Sequence, residues 1–272
     1  MKIVVLVKSA YLPDPAGDGL FAADLTARRD AAPARLGEAD ERAVEAARRI
    51  ACRRRDVQIS ALTMGPRPAG GALRRALVLG ADEGVHVLDD ALHGSDAPAS
   101  ARVLAAAARR LGFDLVLCAA ASADAGTGVV PTMVAELLGV PSLCFADAVD
   151  LAHAEFGGPR ALDEVVVRRD RGDAVDEVAA PLPALVSVTE QCAAPRYPTV
   201  RAVIEARQKL VRTWTLRDLG MAPAGVGLRA AGTVARRVTA RGGRRPGAVV
   251  RDDEHGGAAA ALADFLAERH LI

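Results

Sequence analysis

Short β-branched runs alternate with helix-like stretches through most of this chain, and that alternation leaves few architectures open to it. KIVVLVK (2–8) is a brief apolar run closed by Pro13-Asp14-Pro15, which reads as a buried first strand. From Asp40 to Arg55 the apolar positions Ala43, Val44, Ala47, Ile50 and Ala51 recur at helical spacing. Asp40 is the expected N-cap, and Arg53-Arg54-Arg55 suits the negative end of the helix dipole. VQISALTMG (57–65) is the next strand, stopped by Gly65-Pro66, and 69–79 reads as a helix capped by Gly80. GVHVLDD, an Ala-rich helix over 99–111, the strand DLVLCAA (114–120) and a helix over 130–138 ending at Gly139 continue the series.

Strands separated by single helices form βαβ units, hence a parallel sheet with helices on both faces. The expected fold is α/β, a doubly wound, mostly parallel, Rossmann-like sheet. Near 145 the pattern changes: DEVVVRRDRGDAVDEV (163–178) reads as an antiparallel hairpin about Gly172 at the edge of the sheet. LPALVSVT (182–189) supplies one more strand. After Gly220 the chain is Gly-, Ala- and Arg-rich until a helix over Ala258–Leu271. The expected organisation is a domain over 1–220 and, over 221–272, an extended arm ending in a helix.

Composition excludes several function classes. Thirty-five Lys+Arg balance 34 Asp+Glu over 272 residues, so no global field attracts nucleic acid or membrane. The basic residues are 32 Arg and three Lys (Lys2, Lys8, Lys209) in an Ala-rich chain, a genomic bias rather than a choice for phosphate chemistry. Aromatics at 3% are too few for stacking platforms on single-stranded nucleic acid. The arm's seven Arg without an acid over 229–251 come with no recognition motif and read as a partner-contacting surface. Cys52, Cys118, Cys144 and Cys192 lie far apart, with neither metal-ligand spacing nor a disulfide pattern. The first apolar run is too short for a signal peptide or a span, so a soluble, cytoplasmic, reducing setting is expected.

No P-loop, nucleophile elbow or HExxH occurs. The loose GxGxxA at Gly225–Ala230 follows Pro223 rather than a strand, unlike a dinucleotide-binding loop. His86 sits within a strand pattern and reads as a core histidine. The segment that invites a ligand is AAASADAGTGVVP (119–131), after an apolar strand and before a helix. Small residues there let backbone N–H groups approach a phosphate, and Thr127 and Asp124 can add side-chain contacts. From the residues alone, an ordinary Ala/Gly-rich connection is an equal reading.

Several elements in order give a resemblance over residues 1–220 to the β subunit of electron transfer flavoproteins. MKIVVLVK resembles that family's opening strand, ADERAVEAARRI its first helix, and ALTMGP its second strand and turn. RALVLGADEGVHVL (75–88) is similar to its helix–GAD–strand passage. SADAGTGVVPTMVAELLGVP (122–141) resembles its DGDTGQ loop and the following helix. LPALVSVT, then APRYPTVRAVIEARQK (194–209), resembles its LPAVVT strand, PRY element and basic helix, and Arg217–Gly220 its closing DLG.

The resemblance implies a non-enzymatic electron carrier that works as a heterodimer with an α subunit. It implies FAD held mainly by α, AMP held by β, and docking of acyl-CoA-type or other flavin-dependent dehydrogenases. Membranes would be reached only through a downstream quinone oxidoreductase, and nucleic acid is no partner. The implied nucleotide positions are Leu6, Gly37, Glu38, Ala39, Asp40, Met64, Ala119, Ala120, Ala121, Ser122, Ala123, Asp124, Ala125, Gly126 and Thr127. The implied docking loop is Gln191, Cys192, Ala193, Ala194, Pro195, Arg196 and Tyr197, with Cys192 in place of a bulky aliphatic anchor.

This chain departs from the family pattern in carrying Gly37-Glu38 for Asn-Pro, Ala119-Ala120-Ala121 for Gly-Lys-Gln, and Gly126 and Val129 for polar residues of the loop. Taken alone, Cys192 reads as a buried thiol. The other class of function is a stand-alone adenine-nucleotide-binding enzyme or sensor on the same layered fold. Its ATP-pyrophosphatase form needs an SGGxDS-type loop where Lys8-Ser9-Ala10-Tyr11 stands.

Overall fold

The computed structural model describes residues 1–10, 21–28, 35–153, 163–239, 247–252 and 257–272. Tyr11 and the Pro13-Asp14-Pro15 stop lie outside them. In chain order the elements are β1 (Lys2–Leu6), β2 (Ser9–Ala10), β3 (Arg35–Leu36), α1 (Glu38–Arg53), β4 (Gln58–Met64), α2 (Gly70–Leu79), β5 (Glu83–Val87), α3 (Ala97–Leu111), β6 (Leu115–Ala119), α4 (Val130–Leu138), β7 (Ser142–Ala146), β8 (Ala148–His153), β9 (Asp163–Asp170), β10 (Val175–Pro181), β11 (Ala184–Val188), α5 (Val200–Ala206), β12 (Val211–Trp214) and α6 (Gly257–Glu268).

Seven strands form one sheet in the order β12-β5-β4-β1-β6-β11-β7. Every pairing in it is parallel, with Ile3 opposite Ile59 on one side and Leu115 on the other. The period of two divides β1 between two cores. Ile3, Val5 and Val7 join α1 and α2 through Ala43, Val44, Ala47, Ile50, Leu73 and Leu77. Val4 and Leu6 face the other way, with α3 and α4 supplying Val103, Ala107, Val134 and Ala135. Burial on both faces is why the run is uniformly apolar rather than alternating.

Helix ends follow local chemistry, with one exception. Asp96 caps α3 by accepting the Ala99 N–H at 3.0 Å, which starts that helix at Ala97, two residues before the periodicity alone does. Gly139 ends α4 in the left-handed conformation the capping motif requires. The exception is Asp40, which is not the N-cap of α1. Gly37 holds that position in extended conformation, and Asp40 lies three residues on, buried. Its carboxylate turns back to accept the Gly37 N–H, the returning half of a capping box. A Cβ on Gly37 would stand 2.8 Å from Asp40 Oδ2, so any side chain there crowds that contact.

Two features differ from expectation. The 163–178 hairpin forms, but β9 pairs with β8 in a separate three-stranded antiparallel sheet, β10-β9-β8, instead of extending the main one. The cause lies near the end of β7: Phe145 takes a φ of +60° at an irregularity in the register, the strand ends at Ala146, and after Asp147 the chain enters β8. Beyond the basic helix read within 194–209, the chain adds a strand that the sequence reading does not include. This is β12, an added edge strand on β5, where Arg212 pairs with Glu83 at 2.9 Å. Lys209 donates to the carbonyls of Leu77 and Ala81 at 3.0 and 2.6 Å, around the end of α2.

Two compact units are present, 1–236 and 237–272, so the first continues beyond residue 220. Within it the GxGxxA stretch packs against the 89–96 turn. A Cβ on Gly227 would lie 2.3 Å from the Ala91 carbonyl oxygen, so its glycine serves close backbone approach. The second unit carries α6. Among the described residues, no helix is long and apolar enough to cross a membrane.

Candidate functional site

From β1 the chain winds outward through β4 and β5, then returns to place β6 on the other side of β1. The reversal opens a crevice at the carboxyl ends of β1 and β6, where open α/β sheets bind ligands. Leu6 lies there with its side chain buried, leaving only backbone to the crevice. Met64 ends the neighbouring β4, half-buried. Gly37, Glu38, Ala39 and Asp40, at the start of α1, reach the same edge: the Asp40 carboxylate accepts the backbone N–H of Lys8, just past β1.

Ala119 ends β6 and Ala120 ties the loop to the sheet, its N–H donating to the Val188 carbonyl at 2.8 Å. Ala121, Ala123, Ala125, Gly126 and Thr127 are exposed, while Ser122 and Asp124 are half-buried. The turn is closed by the Gly126 N–H on the Ser122 carbonyl at 2.9 Å. Gly126 and Gly128 carry φ of +60° and +67°, which favours glycine at both positions. Among the described residues, the N–H groups of Thr127, Gly128 and Val129 meet no acceptor, and α4 begins immediately after them. Successive unpaired amides before a helix start fit the phosphate end of a nucleotide.

Lys8 is the site residue that sequence reasoning missed. Its ammonium donates to Ser122 Oγ at 3.0 Å and to Asp124 Oδ1 at 2.6 Å. The available signal was a rare Lys, one of three in the chain, at the carboxyl end of the first parallel strand. Burial is the chief reason that Asp40 holds its proton up to about pH 8, with the nearby Asp124 charge acting in the same direction. Burial likewise raises the Cys118 thiol on β6, and the Asp40 charge adds to it. His86 is a core histidine as read, its Nε2 3.0 Å from the Gly65 carbonyl oxygen and its pKa lowered by burial.

With that geometry in place, comparison with known proteins is decisive. The family model for the electron transfer flavoprotein domain matches residues 24–219. Electron transfer flavoprotein subunit beta of Mycobacterium bovis is 36% identical over 261 residues, 94% of each chain, and a protein of the same name in Mycobacterium tuberculosis matches equally. That of Mycobacterium leprae is 36% identical over 263 residues, again 94% of each. The chain belongs to the electron transfer flavoprotein family. Its relatives are β subunits, and its role is in electron transfer.

In this electron transfer flavoprotein chain the segment implied for docking behaves differently from the crevice. Cys192 is 1% exposed in the core beneath α1, and burial pushes its thiol up to about 11. Arg42 Nη1 donates to the Cys192 carbonyl at 3.0 Å and Arg49 Nη2 to that of Ala194 at 3.3 Å, so α1 clips the loop down. The Gln191 N–H is held by Thr189 Oγ1 at 3.2 Å. Ala193 and Pro195 are half-buried. An accessible anchor at Cys192 is therefore excluded. The exposed side chains are Gln191, Ala194, Arg196 and above all Tyr197, at 96%. Beyond the implied loop, Val200 and Ile204 on α5 are 78% and 55% exposed, and the expected segment ended before both.

Proposed function

We propose that this chain is the β partner of a heterodimeric electron transfer flavoprotein and has no substrate turnover of its own. The observation that carries this is the match to relatives named subunit beta, which spans 94% of the chain. Its α partner would hold most of the FAD, whose isoalloxazine takes up and gives off the electrons. This chain would hold AMP, with the Thr127–Val129 amides and the start of α4 on the phosphate, the Thr127 hydroxyl beside them, and Leu6, Ala39 and Met64 lining the crevice. Support for AMP over a second FAD comes from Gly126 and Val129, which offer no polar side chain to a larger ligand with a second phosphate. The second unit, over 237–272, would lie on the α subunit. A cytoplasmic setting fits the absence of any disulfide among the described cysteines.

Flavin-dependent dehydrogenases would dock on the 191–204 segment. Binding energy concentrates in a few apolar side chains that become buried at the centre of an interface. Tyr197, Val200 and Ile204 are exposed and available for that role; Cys192 is not. Arg196 and Arg201 at their margin would steer an acidic partner and make association sensitive to salt.

The test is co-expression with the α subunit, only this chain being tagged. An untagged α subunit should co-purify, giving a yellow complex, whereas this chain alone should be colourless. A tight, redox-active FAD in the isolated chain would contradict the proposal.

A further inference from the structure

Lys8 joins three segments that are distant in sequence. Its backbone N–H is taken by the Asp40 carboxylate at the start of α1, while its ammonium crosses the crevice to Ser122 and Asp124. The Lys8–Asp124 pair is 2.6 Å long, and the Asp124 side chain is only 10% exposed. Asp124 Oδ1 also accepts the Ala125 N–H at 2.7 Å, and Ser122 Oγ lies 3.4 Å from the same nitrogen. The two side chains that hold the ammonium are therefore the two that shape the 122–126 turn. That turn delivers the chain to Thr127, Gly128 and Val129, whose amides are unpaired among the described residues.

We propose that Lys8 is a positioning residue of the nucleotide crevice: it clasps the 122–126 turn through Ser122 and Asp124, so that the amides of residues 127–129 converge on one phosphate. The inference rests on the nucleotide reading above and adds how the site is held in shape. Lys8 is the obvious cation for a phosphate at this edge, but its charge is already matched by Asp124 at hydrogen-bond distance. The ammonium has a third N–H beyond those to Ser122 and Asp124, so a phosphate could share Lys8. One that took it as its sole counter-ion would displace that carboxylate and release the turn.

The two roles predict opposite signs for one substitution. If Lys8 is a clasp, Asp124→Asn loosens the turn and weakens AMP. If Lys8 is the phosphate's counter-ion, Asp124→Asn frees the ammonium and tightens AMP. The experiment is calorimetric titration of AMP into nucleotide-stripped heterodimer, for wild type, Lys8→Met, Lys8→Arg, Asp124→Asn and Ser122→Ala. Hydrogen exchange of residues 119–129 is measured on the same proteins without added AMP. The clasp predicts AMP binding about tenfold weaker for Lys8→Met and Asp124→Asn, the scale of one charge-assisted hydrogen bond. It further predicts a smaller loss for Ser122→Ala, partial rescue by Lys8→Arg, and faster exchange at Ala125 and Gly126 in the weakened variants. Tighter AMP binding by Asp124→Asn, or unchanged exchange in Lys8→Met while wild type binds AMP, overturns the clasp and leaves the nucleotide reading standing. A wild-type heterodimer that takes up no AMP overturns the nucleotide reading and the proposal with it. Faster exchange in Lys8→Met would then show that the contact shapes the turn without serving a ligand.

Discussion

The crevice loop over 119–127 and the docking loop over 191–197 were both implied by family resemblance, yet they relate differently to their side chains. In the crevice the proposed binding surface is backbone. Ala, Gly and Thr keep it open, and a side chain from just past β1, Lys8, holds it. In the docking segment the surface is made of side chains, and which of them face outward is decided by packing against α1. Arg42 and Arg49 pull the 192–194 backbone down, Cys192 goes under, and the apolar surface moves on to Tyr197, Val200 and Ile204. A motif read from small residues survives substitution better than one read from a single anchor, because backbone amides remain when side chains change.

The largest expected effect breaks the docking half of that comparison. Cys192→Asp places a carboxylate in the core beneath α1, where burial costs several kcal/mol that the nearby Arg42 and Arg49 offset only in part. Thermal unfolding should show a large loss of stability, and any loss of electron transfer should follow from it. A variant that keeps wild-type stability would mean that Cys192 is not buried.

Asp40→Asn probes the crevice half. Because the folded pKa of Asp40 is raised to about 8 from an ordinary 3.8, the folded state binds a proton that the unfolded chain has released. The wild-type protein should therefore lose stability as pH rises from about 4 to about 8, by up to several kcal/mol. In Asp40→Asn that slope should flatten, so the variant gains on wild type toward pH 8. Denaturant unfolding at pH 5 and pH 8 reads the difference, and parallel behaviour of the two proteins would show that Asp40 ionises normally.

Val200→Asp tests where the docking surface has gone. It places a charge on a 78% exposed position, so the fold and flavin spectrum should stay unchanged. Dehydrogenase affinity should fall by about 2 kcal/mol, or roughly thirtyfold, as for a central interface residue. Wild-type transfer rates would place docking elsewhere.

Legibility of the sequence divides along the same line. The parallel strands and the helices on their two faces were readable because apolar periodicity is a local signal, as KIVVLVK and the Gly139 stop of α4 show. β12 was not: VRTW lies in a basic stretch, and it joins β5 through Arg212 and Glu83, 129 positions apart in the chain. The separate β8–β10 sheet depends on the bulge at Phe145, which no pattern in 142–146 announces. The nucleotide loop could be located by its composition, but Lys8 reaches it from 114 residues away. The burial of Cys192 likewise depends on two arginines of α1, far back in the chain. What was missed is long-range pairing, for which a single sequence carries no local signal.

The smallest effect sharpens the crevice half. Thr127→Val removes one exposed hydroxyl and leaves the amides in place, so AMP affinity should fall by about 1 kcal/mol, close to fivefold. A loss a hundred times larger would mean that side chains rather than backbone hold the phosphate.

The central claim is that this chain contributes a backbone-built monophosphate site to a flavin-carrying heterodimer. The most direct measurement is the nucleotide content of the denatured heterodimer by mass spectrometry. One FAD and one AMP per heterodimer, with no FAD in the isolated chain, is the result expected. Two FAD per heterodimer, or FAD retained by this chain alone, would contradict it.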